Sequence, residues 1–328
     1  MAEMRFRPLG ASDLSVSVVG VGCNAFGTRI DADQTKAVVD AAFEAGINFF
    51  DTADTYGFGH SETLLGAALG SRRSEVVVAT KFGMDMQGAY GPDAGARASR
   101  SYMRKAVEAS LRRLGTDYID LYQLHTPDRI TPIEDTLGAM AELVDEGKVR
   151  HIGCCNFAAW ELVEADWTAR RSGFRPFVTA QNEYSLYNRK AEDELVPACE
   201  RLGVSLLPYY PLAYGLLTGK YVRGQAAPEG SRLAGESQRV RFEGADWDRI
   251  EALEAFAGER NLSLLQVAIG GLAAQPTVGS VIAGATKPAQ IHANAEAGAW
   301  APTDDDLAVL AELRVDEKFS YTSFAPKP

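Results

Sequence analysis

Apolar and polar positions along the chain fall into two alternating patterns. Short β-branched or apolar runs, mostly bounded by Gly, Asp, Asn or Pro, predict eight buried strands: Val16–Val21, Asn48–Thr52, Val76–Lys81, Tyr118–His125, Val149–Cys154, Phe177–Gln181, Val204–Tyr209 and Ser280–Ala283. Between them, apolar residues recur at helical spacing. These stretches predict helices over Asp33–Ala45, Ser61–Leu69, Ser99–Leu114, Thr131–Glu146, Ala158–Ala169, Ala191–Leu202, Ser263–Ala273 and Pro288–Ala297.

Local signals sharpen some boundaries. Thr131-Pro-Ile-Glu134 reads as a capping box with proline at the first helical position. Thr303 and Asp306 repeat the pattern for a last helix, roughly Asp304–Leu313. Gly46, Gly70, Gly115, Gly147 and Gly203 stand where a left-handed residue ends a helix. Eight strand–helix units imply right-handed crossovers and a parallel sheet, which closes as a (β/α)8 TIM barrel, one α/β domain spanning 1–328. Met4–Ser17, with Gly10-Ala-Ser-Asp13 between apolar positions, predicts a small N-terminal hairpin plugging the barrel bottom. After the seventh strand comes a long loop, Pro211–Asp246, and then an extra helix, Trp247–Glu259. A loop of that length in a compact domain is usually functional.

Charge and cysteine content narrow the class. The chain has 328 residues, with 33 Lys+Arg against 44 Asp+Glu and a net charge of −11. An acidic protein with scattered cations gains little from nucleic acid or an anionic membrane surface, so neither is expected as a partner. The first ten residues lack the apolar stretch of a signal peptide, and no run is long enough to span a bilayer. Cys23, Cys154, Cys155 and Cys199 form no C-x-x-C pair and no metal-ligand spacing, as expected of reduced thiols in a cytoplasmic protein without a metal site.

Gly20-Val-Gly-Cys-Asn-Ala25 imitates a dinucleotide-binding fingerprint, with Asp51 downstream. That fingerprint needs a helix opening directly from the glycines. Here the helical pattern starts only near Asp33, so a Rossmann fold is rejected.

Chemistry in a (β/α)8 barrel sits where the strands end. Asp51 closes the second predicted strand, with Tyr56 in the following loop; Lys81 closes the third and His125 the fourth. Each alone has a bland role as turn cap, solvated cation, packing ring or hydrogen-bonding imidazole. Together, at consecutive strand ends, they predict one site. A tyrosine with pKa near 10 is a poor proton donor at neutral pH, and a neighbouring ammonium is expected to lower it. Lys81 is that cation, Asp51 fixes it, and His125 bonds a substrate oxygen. Tyr56 then protonates a carbonyl oxygen while a nicotinamide cofactor supplies hydride, which no side chain can carry.

The sequence resembles the aldo-keto reductase superfamily over nearly its whole length. The matching stretches are F-F-D-T-A-D-T-Y at 49–56, A-T-K-F at 79–82, S-L-R-R-L-G-T-D-Y-I-D-L-Y-Q-L-H at 110–125, H-I-G-C-C-N-F at 151–157, Y-Y-P-L-A-Y-G-L-L-T-G-K-Y at 209–221 and V-I-A-G-A-T-K at 281–287. The resemblance implies NADP(H)-dependent reduction of aldehydes and ketones, or the reverse reaction on alcohols or sugars, with a catalytic tetrad at Asp51, Tyr56, Lys81 and His125. It also implies cofactor contacts. Gly22 and Asp51 lie at the cofactor end of the mouth. Cys155, Asn156 and Gln181 stand where a Ser-Asn pair and a Gln hold the nicotinamide amide, the cysteine being a departure. Tyr209, next to Tyr210, stacks on the ring. Pro211, Leu212, Gly215, Leu217 and Lys220 cover the pyrophosphate, with Arg232 reaching a phosphate. Gly284, Thr286, Lys287, Gln290 and Asn294 form the adenosine-phosphate end. Many members carry Arg at the position of Gln290, which leaves Lys287 as the main cation for a 2′-phosphate. NADP(H) is expected over NAD(H).

Potassium-channel beta subunits share this fold and usually carry Asn at the position of His125, so a cofactor-sensing, binding-only barrel is the alternative. Asn24, Phe26, Phe58, Phe82, Met84, Tyr90, Phe319, Tyr321 and Phe324 are candidates for the substrate pocket. Substrate and oligomeric state are not legible in the sequence.

Overall fold

The computed structural model describes residues 3–314. The chain opens as an antiparallel hairpin, β1 (Phe6–Pro8) and β2 (Ser15–Ser17). Eight parallel strands follow: β3 (Val19–Gly22), β4 (Phe49–Asp51), β5 (Val77–Phe82), β6 (Ile119–Leu124), β7 (Val149–Cys155), β8 (Thr179–Glu183), β9 (Ser205–Tyr209) and β10 (Val281–Gly284). They pair in sequence from β3 to β9, and β10 returns to pair with β3. A bridge between Leu206 and Val278, just before β10, closes the barrel. Helices α1 (Ala32–Glu44), α2 (His60–Leu69), α3 (Arg100–Leu114), α4 (Ile133–Asp145), α5 (Ala159–Ser172) and α6 (Leu195–Leu202) join consecutive strands on the outside. Among the described residues, no helix is long and apolar enough to cross a membrane.

The predicted (β/α)8 barrel and its N-terminal hairpin are therefore present. Several boundaries differ, each for a physical reason. The first predicted strand breaks after Ser17, because Val18 N–H donates to Arg5 O (3.0 Å) and only Val19 enters the barrel. Thr131 does not cap α4: its hydroxyl donates to Asp128 instead (2.7 Å), and Pro132 takes the N-cap place. The predicted Ala191–Leu202 helix splits into a 3-10 turn, Lys190–Glu192, and α6, where Pro197 lacks an N–H and sits in the first turn. Gly70 has a ψ of −127° and leads into a further 3-10 turn rather than adopting the helical left-handed cap. The Thr303 capping box forms as expected, opening α11 (Asp304–Glu312) after α7 (Arg239–Glu243), α8 (Trp247–Glu259), α9 (Leu264–Ala273) and α10 (Pro288–Ala297).

The hairpin plugs the barrel bottom. Leu9, Leu14 and Val16 pack inside with Phe49, Val77, Val178 and Leu207. Burying each such side chain contributes about 1.5–3 kcal/mol. The hairpin turn lies so close to the barrel that a Cβ on Gly10 would stand 2.1 Å from the Val178 carbonyl oxygen. Arg7 ties the hairpin down through the carbonyls of Ala273 (2.7 Å) and Val278 (2.5 Å).

Above this apolar layer the interior turns polar. Asp51, Lys81, Gln123, Thr179 and Gln181 are all buried there. Gly153 makes room for them: a Cβ on it would sit 2.1 Å from Thr179 Oγ1 and 3.2 Å from Gln123 Cγ. Gly153→Ala is expected to destabilise the protein by about 1–3 kcal/mol, read as a lower urea midpoint. An unchanged midpoint would mean the polar layer yields without cost.

Candidate active site

Asp51 ends β4, and its two oxygens are fully used. Oδ2 accepts from Lys81 Nζ at 2.6 Å; Oδ1 accepts from Gln181 Nε2 at 2.8 Å and Gln123 Nε2 at 3.4 Å. Lys81, completely buried in β5, also donates to Thr52 O (2.7 Å) and reaches the Tyr56 hydroxyl at 3.5 Å. Burial alone would lower the lysine, but Asp51 and the Tyr56 oxygen more than offset it, so the ammonium is held charged. Gln123 alternates with Leu121 and His125 along β6, so the same period-two face that aims His125 at the mouth carries Gln123 beneath it.

Tyr56 stands at the start of a tight turn whose next residues, Gly57 and Phe58, both have positive φ (58° and 53°). The turn lifts the phenol over Lys81. The expected lowering of the tyrosine pKa is not seen: burial pushes the phenol up to about 12, and the Lys81 ammonium pulls it down without prevailing. A position in the sequence does not reveal how deeply its ring is desolvated. The His125 ring meets Tyr56 edge-on, centroids 6.0 Å apart. Burial, with Lys81 adding to it, pushes His125 down to about 3, so the imidazole is neutral. Its Nδ1 is buried without a partner among the described residues.

These four groups converge at one end of a cleft of about 530 Å³, a size suited to a small-molecule ligand. Asp51, Tyr56, His125, Asn156, Gln181 and Tyr209 form the head of the cleft. Asn156 has a φ of +59°; its amide donates to His125 O (2.9 Å) and accepts from the Tyr209 hydroxyl (2.8 Å). Gly22 and Gly284, paired in register on β3 and β10, leave the floor open where side chains would fill it. Tyr210, Pro211, Leu212, Gly215, Lys220 and Arg232 line the side formed by the long loop after β9. That loop is strained, with positive φ at Tyr210 (52°), Ala213 (45°) and Tyr214 (61°), and such strain persists mostly at functional sites. Thr286 and Gln290 close the far end, where Gln290 Oε1 accepts from Thr286 N (2.7 Å).

Four expected cofactor contacts lie off the cleft surface. Cys155 is buried beside Asp51 and Lys81, and burial pushes its thiol up. Leu217 and Asn294 are buried behind the wall, while Lys287 is exposed at the N-terminus of α10. Of the candidate substrate residues, Asn24 and Met84 line the cleft. Phe26, Phe82 and Tyr90 belong to the core, and Phe58 is exposed outside the cleft. Phe319, Tyr321 and Phe324 lie outside the described residues. Sequence reasoning missed Arg29, Tyr214, Thr218, Ser231 and Ile282 in the lining. It also missed Gln123 under Asp51, although the period-two pattern of β6 already pointed that residue inward.

The family model for the aldo/keto reductase family matches residues 18–314. A probable voltage-gated potassium channel subunit beta from Oryza sativa subsp. japonica is 38% identical over 304 residues, covering 90% of this chain and 91% of that protein. A probable aldo-keto reductase 1 from Glycine max is 34% identical over 325 residues, 95% and 90% of the two chains. The versiconal hemiacetal acetate reductase of Aspergillus parasiticus is 36% identical over 299 residues, 84% and 87% of the two. With a full barrel, the site at its mouth and a family match across both, the chain belongs to the aldo/keto reductase family of oxidoreductases.

Proposed function

We propose that the protein is an NADP(H)-dependent carbonyl reductase, able to run the reverse oxidation of an alcohol or sugar, with Tyr56 as general acid and base. The observation that carries this is the Asp51–Lys81–Tyr56 chain built on a buried ion pair, with neutral His125 beside it, at the head of a cleft whose cations pair with no carboxylate among the described residues. The residues present fit a dinucleotide: an open glycine floor, an amide cluster at the head and, along the side, cations with no ion pair among the described residues.

When bound, a nicotinamide supplies or accepts the hydride. The chain's own residues do the rest. Asn156 and Gln181 present amides beside Tyr209 to orient the nicotinamide end. His125, being neutral, meets the substrate oxygen as a hydrogen-bond partner. Tyr56 gives that oxygen its proton, and Lys81 stabilises the phenolate left behind. Lys287, at the adenosine end, selects the 2′-phosphate.

Steady-state assays with 4-nitrobenzaldehyde and each reduced cofactor test this directly. Turnover with NADPH exceeding that with NADH is the expected result. A wild type that prefers NADH would overturn the cofactor choice. The rice relative, named as a probable voltage-gated potassium channel subunit beta, keeps open a second reading for this chain, a binding-only cofactor sensor. Tight cofactor binding without turnover of any aldehyde, ketone or sugar would favour it.

A pH profile follows from the same groups. With His125 down at about 3 and Tyr56 up at about 12, neither titrates between about pH 5 and 9. Reduction needs protonated Tyr56, so its kcat/KM should be flat across that window and be lost only as pH rises toward the phenol. Oxidation needs the phenolate and should rise with pH. A loss of reduction activity as pH rises through about 6–7 would show that a titrating His125, not Tyr56, carries the proton.

A further inference from the structure

Tyr56 rides on a strained turn. Gly57, Phe58 and Gly59 have positive φ in succession (58°, 53° and 89°), a conformation that persists where the surroundings impose it. The base of the turn is clipped to β5 by the Asp54 backbone N–H, which donates to Lys81 O at 3.2 Å. Its far end lies on Arg113 of α3, so close that a Cβ on Gly59 would stand 2.5 Å from Arg113 Cδ.

Beneath the turn, side chains join these two points. The Tyr90 hydroxyl donates to Asp54 Oδ2, and Arg113 Nη2 donates to the Tyr90 oxygen, both at 3.2 Å. Arg113 is itself fixed: its Nε donates to buried Glu62 at 2.6 Å, and the other Glu62 oxygen accepts from Thr80 Oγ1 at 2.5 Å. Tyr90 is equally fixed. Its ring meets Tyr102 edge-on at 5.0 Å, and its carbonyl accepts from Lys105 Nζ at 2.9 Å. Asp54 is fully buried, and its second oxygen has no partner among the described residues. Burying an unpartnered carboxyl oxygen costs stability, so folding alone does not account for this side chain. Tyr90 belongs to the loop 83–99, which lines the cleft at Met84, and Tyr102 donates to the Met84 carbonyl at 2.6 Å.

We infer that Tyr90, held by Arg113, is a positioning residue: through Asp54 its hydroxyl fixes the turn that carries Tyr56 over Lys81 and ties that turn to the loop lining the cleft at Met84. The inference rests on the reading of Tyr56 as proton donor. A small displacement of a reacting group is expensive in rate, because the phenol must lie within hydrogen-bond reach of the substrate oxygen. Tyr90, a candidate for the substrate pocket from its sequence position, thus acts on the chemistry from within the core.

Single-turnover reduction of 4-nitrobenzaldehyde by the NADPH-loaded enzyme tests this in wild type, Tyr90→Phe, Tyr56→Phe and the double variant. Tyr90→Phe keeps the ring against Tyr102 and leaves Arg113 its bonds to Glu62 and Ser110, so the protein should fold. Its rate should fall about ten-fold, with NADPH affinity unchanged by fluorescence titration. In the Tyr56→Phe background the same change should cost nothing further, because no hydroxyl remains to be placed. Asp54→Asn keeps an oxygen to accept from Tyr90 and should keep most of the rate.

An equal fold loss in both backgrounds would make Tyr90 a mere support of the mouth and overturn the proposal. So would an Asp54→Asn enzyme slower than Tyr90→Phe, since the hydrogen bond would not then be what matters. A slow Tyr56→Phe beside a Tyr90→Phe of wild-type rate would overturn this inference alone. A Tyr56→Phe enzyme that keeps more than about a tenth of the rate would overturn the donor reading, and this inference with it.

Discussion

Tyr56→Phe is expected to lower turnover by about 10² to 10⁴-fold, the usual worth of a positioned general acid. Cofactor affinity should stay nearly unchanged. The phenol is the proton donor placed by Lys81, whose Nζ stands 3.5 Å from its oxygen. The neighbouring groups are poor substitutes. His125 is neutral, and a neutral imidazole is a far weaker acid than its cation. The Cys155 thiol is buried, held up by that burial and absent from the cleft surface. Asp51 is a carboxylate with both oxygens engaged. Phenylalanine keeps the ring that packs edge-on against His125, so the mouth should keep its shape. Fluorescence titration with NADPH separates binding from chemistry, and single-turnover rates separate chemistry from product release. A variant that retains more than about a tenth of the rate would move the proton to another donor, His125 first.

The legibility of this site in the sequence varies residue by residue. Asp51, Lys81 and His125 were readable because each belongs at the end of a strand, and strands announce themselves by β-branched runs between turn residues. Gln123 was readable in principle, one alternation below His125. Arg29 was not: it lies in a short loop with no periodicity, and only the fold places it in the lining of the cleft. The depth of Tyr56 was equally hidden. Its pKa is set first by desolvation, a property of everything packed around the turn, and only then by the lysine that sequence reasoning had singled out. Thr131 shows the limit for local motifs. The capping-box spacing was right, but Asp128, three residues earlier, offered the hydroxyl a stronger acceptor. Lys287 was placed by resemblance, and its exposure leaves its contact with a 2′-phosphate to be tested by binding.

Lys81→Met should be as damaging to turnover as the tyrosine change, and Asp51→Asn clearly milder. Lys81 is completely buried and bonds three groups at once: Asp51, the Thr52 carbonyl and the Tyr56 hydroxyl. Methionine fills much of the same volume but strands Asp51 as a buried carboxylate served only by Gln181 and Gln123. Breaking a buried pair this way typically costs about 3–5 kcal/mol, so thermal unfolding should also come earlier. It also strips the phenol of its one adjacent cation among the described residues. Burial already drives Tyr56 up to about 12, and the loss of Lys81 drives it higher, so the phenolate that must form in the transition state is stabilised by nothing. Asparagine at position 51 keeps an acceptor for the lysine, and the Thr52 carbonyl still holds it at 2.7 Å. The ammonium loses its counter-charge and titrates more easily, yet an amine still stands beside Tyr56. The fall should therefore grow at high pH, where a less stabilised lysine gives up its proton. Turnover measured for the two variants across pH, beside their unfolding midpoints, decides the ordering. An Asp51→Asn enzyme that is slower than Lys81→Met would mean that the carboxylate acts on the reacting groups directly, through Gln181 and the nicotinamide end, rather than by holding the lysine.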